Sequence, residues 1–326
     1  MDDFDWHGRR ALVTGATGVV GAWVVKDLLA KGADVTVLIR DDAPQSELVR
    51  CGDIGRVRHI NGPLEDFSVV ERAIAKHEVD TIFHLAAQPI VGVAKASPMA
   101  TFETNIRGTY HLLEAARLHR GRVERVVVAS SDKAYGRASE PYRETMPLNG
   151  RQPYEVSKSC ADLLATSYAE TYDLPIAIAR CANIYGGGDL NWSRIVPGTL
   201  RSLIQGETPI VRSDGTLVRE YVYVEDVVSS YMSLAENLNR PDVRGQAFNF
   251  TSGQVLTVLD MVGALCRVHG QSVEPRILGE AQDEIPDQRL DGSKAASVLG
   301  WHSRFTLDDG LQKTVAWYAN FFASAV

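Results

Sequence analysis

Six continuous apolar runs alternating with longer helix-period stretches constrain this chain more than any other feature. Residues 10–14, 34–39, 57–60, 81–85, 125–130 and 176–180 read as strands. Residues 21–31, 66–77, 98–119 and 153–172 read as helices between them. A strand without polar alternation is covered on both faces, and intervening helices supply those covers over a parallel sheet. The chain ends in LDDGLQKTVAWYANFF, where Leu307, Leu311, Val315, Tyr318 and Phe322 form one apolar stripe expected to pack in the core.

The first strand runs into the first helix through ALVTGATGVVGAWVV, with Gly15, Gly18 and Gly21 at the junction. Glycine allows a tight turn and close approach to a pyrophosphate, and a helix N-terminus offers free N–H groups and a positive dipole end. At this position the loop predicts a dinucleotide site formed by Gly15, Thr17, Gly18, Val19, Val20 and Gly21. The fold class is therefore α/β, a Rossmann-type doubly wound parallel sheet with a smaller mixed α/β substrate part. Residues 1–183 with 219–250 are expected in the first unit, and 184–218 with 251–326 in the second.

A net charge of −7 argues against a general nucleic-acid or anionic-membrane binder. The four cysteines are scattered, which points to reduced thiols and against a disulfide framework or metal site. The acidic start MDDFDWHGRR does not read as a signal peptide, and no apolar run is long enough to cross a bilayer. A cytoplasmic location is expected.

Tyr154 and Lys158 form a YxxxK within PYEVSKS. With 11 tyrosines and eight lysines, chance gives roughly 0.3 such pairs, so spacing alone says little. Its place does more. Four residues are about one helical turn, and Pro153 marks the helix start, so both side chains share a face near the N-terminus. A lysine cation about 4 Å away contributes on the order of 4 kcal/mol at an effective dielectric of 20. That lowers a tyrosine by roughly three units, enough for it to act as a base.

The GxxGxxG spacing, together with FHLAAQ at the fourth strand, resembles the extended, nucleotide-sugar-modifying branch of the short-chain dehydrogenase/reductase superfamily. The resemblance implies that Leu64, Leu85, Ala86 and Ala87 line the dinucleotide, with Tyr154 and Lys158 beside its nicotinamide. Ile39 stands where NAD-type relatives carry an acid, and Arg40 follows, similar to the arginine of NADP-using GDP-mannose dehydratases. Asp41 could still serve a ribose, so the choice stays between NADP and NAD, tightly bound, leaning to NADP. Pro63 replaces the usual adenine-contacting aspartate.

Ser131 matches the family's third catalytic residue, bridging Tyr154 and the sugar O4. Asp132 and Lys133 occupy positions that are small or uncharged in the resembling 4-epimerases, and the wider match is to 4,6-dehydratases of the CDP-glucose type. By that resemblance Asp132 is the general acid and Lys133 is either the C5 base or a group holding a carboxylic acid or oxyanion. Both reach one sugar only if the chain bends after the strand. For the substrate, a nucleotide-diphosphate sugar, Gln88 and Asn105 are implied near the active-site backbone. Asn183, Arg194, Arg212 and Arg219 are implied at the diphosphate and nucleoside, with Arg180 and Gly186–Gly188 alongside. Glu284 and Arg289 are implied lid contacts. A homodimer is expected through residues 98–119 and 153–172. Two alternatives remain, a nucleotide-sugar 4-epimerase and a dinucleotide sensor without turnover.

Overall fold

The computed structural model describes residues 4–280 and 284–324. The first half runs β1 (Arg10–Thr14), α1 (Val19–Ala30), β2 (Asp34–Ile39), α2 (Glu47–Arg50), β3 (Arg58–Asn61), α3 (Phe67–Lys76) and β4 (Thr81–His84). It continues through α4 (Val91–Ala96), α5 (Pro98–Phe102), α6 (Gly108–Leu118), β5 (Arg125–Ala129), α7 (Pro153–Tyr172) and β6 (Ile176–Cys181). The second half contains β7 (Asn183–Tyr185), α8 (Ile195–Ile204), β8 (Ile210–Val211), β9 (Val218–Tyr223), α9 (Val224–Asn237), β10 (Ala247–Phe250) and β11 (Gln254–Thr257). It ends with α10 (Val258–His269), β12 (Arg276–Ile277), β13 (Asp287–Gln288) and α11 (Leu307–Ala323).

Seven parallel strands form the main sheet in the order β10-β6-β5-β4-β1-β2-β3. One core covers one face of this sheet, with Val24, Val25 and Leu28 of α1 and Val227 and Tyr231 of α9. A second covers the other face, with Ile74, Leu112, Leu113 and Ala165 from α3, α6 and α7. The apolar strand runs are thus explained by burial on both sides. The strand order reverses between β4 and β1, which opens a crevice at their C-terminal ends where ligands bind in doubly wound sheets.

A smaller sheet pairs β11, β9 and β13, with β7 also on β9. β9, expected in the first unit, therefore hydrogen-bonds within the smaller sheet. Its own core joins Leu200, Met261, Leu265, Leu311 and Tyr318. On α11 the stripe turns slightly from the expected one: Phe321 is buried and Phe322 only partly.

The helix expected over 98–119 is interrupted. α5 passes into a π-helical turn at Glu103–Arg107 before α6 begins. The wider turn directs Asn105 inward, where it is 2% exposed. At Gly108 a Cβ would meet Leu64 Cβ at 2.8 Å, so only glycine lets α6 pass that close.

Candidate active site

The loop after β1 packs on the loop after β4. Gly15 has φ +72°, and a Cβ there would lie 2.7 Å from the Ala86 nitrogen. A Cβ on Gly21 would fall 2.1 Å from the Gly15 carbonyl oxygen, so α1 can start against the turn only with glycine. Gly18 is the extended N-cap of this 12-residue helix, and no side chain caps its free N–H groups. Thr17, Val19 and Val20 are half-buried around them. A backbone cradle with open donors and no acidic residue in the first turn fits a pyrophosphate.

Thr14 Oγ1 accepts from the Leu85 and Ala86 amides, each at 3.2 Å, and so ties the two loops together. It also meets His84 Nδ1 at 2.9 Å, while His84 Nε2 meets Thr109 Oγ1 at 3.0 Å. Thr109 donates its hydrogen to the Asn105 carbonyl at 2.6 Å, so His84 must donate from Nε2 and accept at Nδ1. Burial, aided by the Lys158 charge, holds this imidazole neutral, with its pKa down at about 3. Ala87 and Gln88 follow, half-buried. Asn105 Oδ1 accepts from the Gln88 amide at 2.7 Å, and its Nδ2 donates to the Gln88 carbonyl at 3.2 Å and to Ser157 Oγ at 2.9 Å. Ser157 in turn donates to the Tyr154 carbonyl at 2.7 Å. A continuous relay thus joins the glycine loop to the helix that carries Tyr154.

That helix, α7, starts with Pro153 and a capping box in which Glu155 accepts from the Gln152 amide at 3.1 Å. Tyr154 is 8% exposed and Lys158 6%. Burial pushes Tyr154 up to about 12, with the Ser131 hydroxyl pulling the other way through a hydrogen bond and the Asp132 charge pushing further up. Burial brings Lys158 down to about 8 against the opposing pull of Asp162 and Cys181. Tyr154 thus stands above its ordinary value in the folded chain and not below it as expected, because burial dominates. The Lys158 ammonium donates to the Ala129 carbonyl at the end of β5, at 2.7 Å.

β5 ends at Ala129, and the chain turns at once. Asp132–Tyr135 is a 3₁₀ turn capped by Ser131, whose Oγ accepts from the Lys133 amide at 3.2 Å and donates to Asp132 Oδ1 at 3.0 Å. The turn supplies the bend that an extended strand lacks, so Asp132 and Lys133 are no longer on opposite faces. Asp132 is 4% exposed. Lys133 Nζ donates to Gln288 Oε1 at 3.0 Å. Burial lowers Lys133, and Arg219 adds to that, while Asp132, Glu284 and Glu155 oppose it.

The remaining predicted groups divide by availability. Arg219 is buried; it pairs with Glu284 at 2.6 Å and donates to the Val218 and Ile285 carbonyls at 2.8 and 2.7 Å. Glu284 thus belongs with Arg219. Asn183 Nδ2 reaches the Glu220 carbonyl at 3.3 Å, and Arg194, the N-cap of α8, pairs with Asp189 at 2.9 Å. Arg212 and Arg289 are exposed, the latter paired with Asp287 at 2.6 Å. Arg180 is spent elsewhere: it grips Asp162 through two 2.8 Å bonds and Tyr135 through one of 2.7 Å, all buried. The glycine run is likewise taken up by packing. A Cβ on Gly187 would lie 2.3 Å from the Trp317 ring, and its carbonyl accepts from Trp23 at 2.8 Å. At the other end of the crevice, Arg40 is exposed and pairs with Asp41 at 2.6 Å. Leu64 is buried, with its carbonyl bonded to His111 Nδ1 at 3.0 Å. Gln288 was not foreseen; only the neighbouring Arg289 drew attention in sequence, and nothing local marks a two-residue strand.

A parallel sheet with a glycine loop at its switch point and a buried Ser131, Tyr154 and Lys158 group is the architecture that the short-chain dehydrogenase/reductase resemblance implies. The model of the NAD dependent epimerase/dehydratase family matches residues 11–249, and the chain belongs to that family. It is similar to CDP-glucose 4,6-dehydratase from Salmonella typhimurium, 33% identical over 337 residues that span 98% of this chain and 92% of the relative. Among solved structures, the UDP-glucose 4-epimerase of Thermotoga maritima superposes with a TM-score of 0.87 at 27% identity, covering 96% of this chain and 99% of that one. DesIV, a dTDP-glucose 4,6-dehydratase from Streptomyces venezuelae solved with NAD, gives 0.86 at 30% identity, covering 95% and 97%.

Proposed function

We propose that the chain is a nucleotide-diphosphate-sugar 4,6-dehydratase, a lyase acting on a CDP-glucose-like substrate. The carrying observation is the 3₁₀ turn that places Ser131, Asp132 and Lys133 together beside buried Tyr154. When bound, the oxidised nicotinamide supplies a hydride acceptor and a positive charge near the tyrosine. Tyr154 takes the O4 proton while Ser131 holds that oxygen, which leaves a C4 ketone and an acidified C5 hydrogen. In this reading Lys133 takes the C5 proton and Asp132 protonates the departing C6 hydroxyl. The hydride first removed from C4 returns to C6, so the 4-keto-6-deoxy product forms with no net redox change. Asn183, Arg194, Arg212 and Arg219 are the groups we assign to the nucleotide diphosphate.

NAD is the cofactor in this reading. The lean to NADP rested on Arg40, and Asp41 at 2.6 Å already partly neutralises that guanidinium. The NAD-bound dTDP-glucose 4,6-dehydratase of similar fold supports the same choice. Among the described residues no helix is long and apolar enough to cross a membrane. The four cysteines are free thiols, which favours a reducing compartment, and on that ground we take the enzyme as cytoplasmic. The expected division, residues 1–183 with 219–250 for the dinucleotide and the rest for the sugar nucleotide, shifts at one strand: β9 with Arg219 goes with the sugar-nucleotide part, where its hydrogen bonds lie.

The second reading, a 4-epimerase, is favoured by the likeness to the Thermotoga maritima enzyme. Incubation with CDP-, UDP-, dTDP- and GDP-hexoses in deuterated water decides between the two. A 4-keto-6-deoxy product carrying deuterium at C5 is expected, and Asp132→Asn should keep C4 oxidation while losing C6 deoxygenation by about 100-fold or more. A C4 epimer without exchange overturns the reading.

A further inference from the structure

Gln288 lies on β13, opposite Arg219 of β9 in the parallel pairing, and is 1% exposed. It is separated from Lys133 by 155 residues of chain, yet its Oε1 accepts from Lys133 Nζ at 3.0 Å. The amide oxygen faces the lysine nitrogen, the orientation that its ammonium form requires because an ammonium can only donate. The Nε2 group is then left as a buried donor with no partner among the described residues. An unmet buried donor is costly, and a ligand oxygen relieves the cost.

We propose that Gln288 is the positioning residue of the elimination step, its Oε1 fixing the Lys133 amine and its Nε2 reserved for an oxygen of the bound sugar nucleotide. The proposal rests on the dehydratase reading above. The groups facing Lys133 are Asp132 on its own turn, Glu155 on α7, Arg219 on β9 and Glu284 just before β13. The three acids favour the ammonium whenever they are ionised, the wrong form for a base. A neutral amide holds the amine in place without adding a fourth negative charge. A lysine that gives one N–H to a fixed acceptor also has its nitrogen lone pair directed, which a freely rotating amine lacks.

The test follows the Lys133 titration directly. Lysine ¹³Cε resonances are recorded against pH in the full-length protein, with Lys133 assigned by its loss in Lys133→Arg. Gln288→Glu is expected to raise the Lys133 midpoint by about one pH unit or more. A midpoint unchanged within about 0.2 unit overturns the coupling. Gln288→Met keeps the length of the side chain and removes both polar atoms. It should lower the ratio of C5 deuterium uptake to C4 oxidation about tenfold and raise KM for CDP-glucose severalfold. A parental ratio overturns the positioning role, and a parental KM overturns the Nε2 contact. Failure of the dehydratase reading is seen separately, as absence of a 4-keto-6-deoxy product from the unmodified chain, and the lysine titration still decides whether Gln288 governs Lys133.

Discussion

Lys158 carries opposing demands. Its burial takes the ammonium from 10.5 down to about 8, so the folded chain resists a proton that the unfolded chain accepts readily. Between those two values the unfolded state binds more protons, so stability rises with pH through that window, and the whole cost is present below about pH 8. That cost is roughly 3 kcal/mol, offset in part by the bond to the Ala129 carbonyl, worth about 1 kcal/mol. Lys158→Met should therefore raise stability by about 2 kcal/mol at pH 7 in urea unfolding, with the gain gone by about pH 10 and a loss of about 1 kcal/mol above about pH 10.5, where only the missing Ala129 bond counts. The same variant should lose C4 oxidation. An unchanged or lower stability at pH 7 would show that the ammonium is better solvated than its burial implies. The YxxxK spacing places Lys158 beside Tyr154 on paper. Where its nitrogen goes depends on a strand-end carbonyl some thirty residues earlier in the chain, which spacing does not reveal.

At the scale of elements, strands and helices follow from local pattern wherever burial is uniform. The apolar runs at β1, β2 and β6 are legible because a strand between two helical layers is buried on both faces and so is mostly apolar, with the few polar members such as Thr14 and Arg180 hydrogen-bonded. The edge strand β3 begins one residue later than read, at Arg58, because only Ile60 of its four residues is buried and periodicity has little to grip. The π turn is illegible for a different reason. The stretch from Pro98 to Leu118 has helical periodicity throughout, and one extra residue in a turn leaves no compositional mark. Its consequence is large, since Asn105 then joins the loop after β4 to α7. Asn105→Ala should cost about 2–3 kcal/mol, because the Gln88 backbone loses both partners while buried Ser157 loses a donor. Hydrogen exchange would show the Gln88 amide as the site of greatest acceleration, and KM for the nucleotide sugar should rise with it. Equal protection of that amide in the variant would mean that the loop is held by other contacts.

For the molecule as a whole, long-range pairs decide what the sequence conceals. Lys133 meets Gln288 and Trp317 meets Glu47, the latter at 2.8 Å, across separations that no motif spans. A surface feature of the same kind lies on α5, α6 and α7. Met99 is 77% exposed, and Leu163, Leu118, Tyr172 and Tyr110 lie on the same three helices, all of them large and apolar on the outside. Scattered singly such residues mean little; we propose that these five, carried on three packed helices, meet a second copy of the chain. The two helical segments from which a homodimer was expected are these. Replacing Met99 and Leu163 together by glutamate puts two charges into that face and, in a two-fold dimer, four into the interface. Sedimentation velocity at about 10 μM should then show the unmodified chain as a dimer and the double variant as a monomer, because an unpaired buried charge costs several kcal/mol. Both residues lie outside the groups assigned to chemistry, so C4 oxidation per chain should stay within about twofold. A monomeric parent, or a double variant that sediments as the parent does, would remove these helices as the dimer interface.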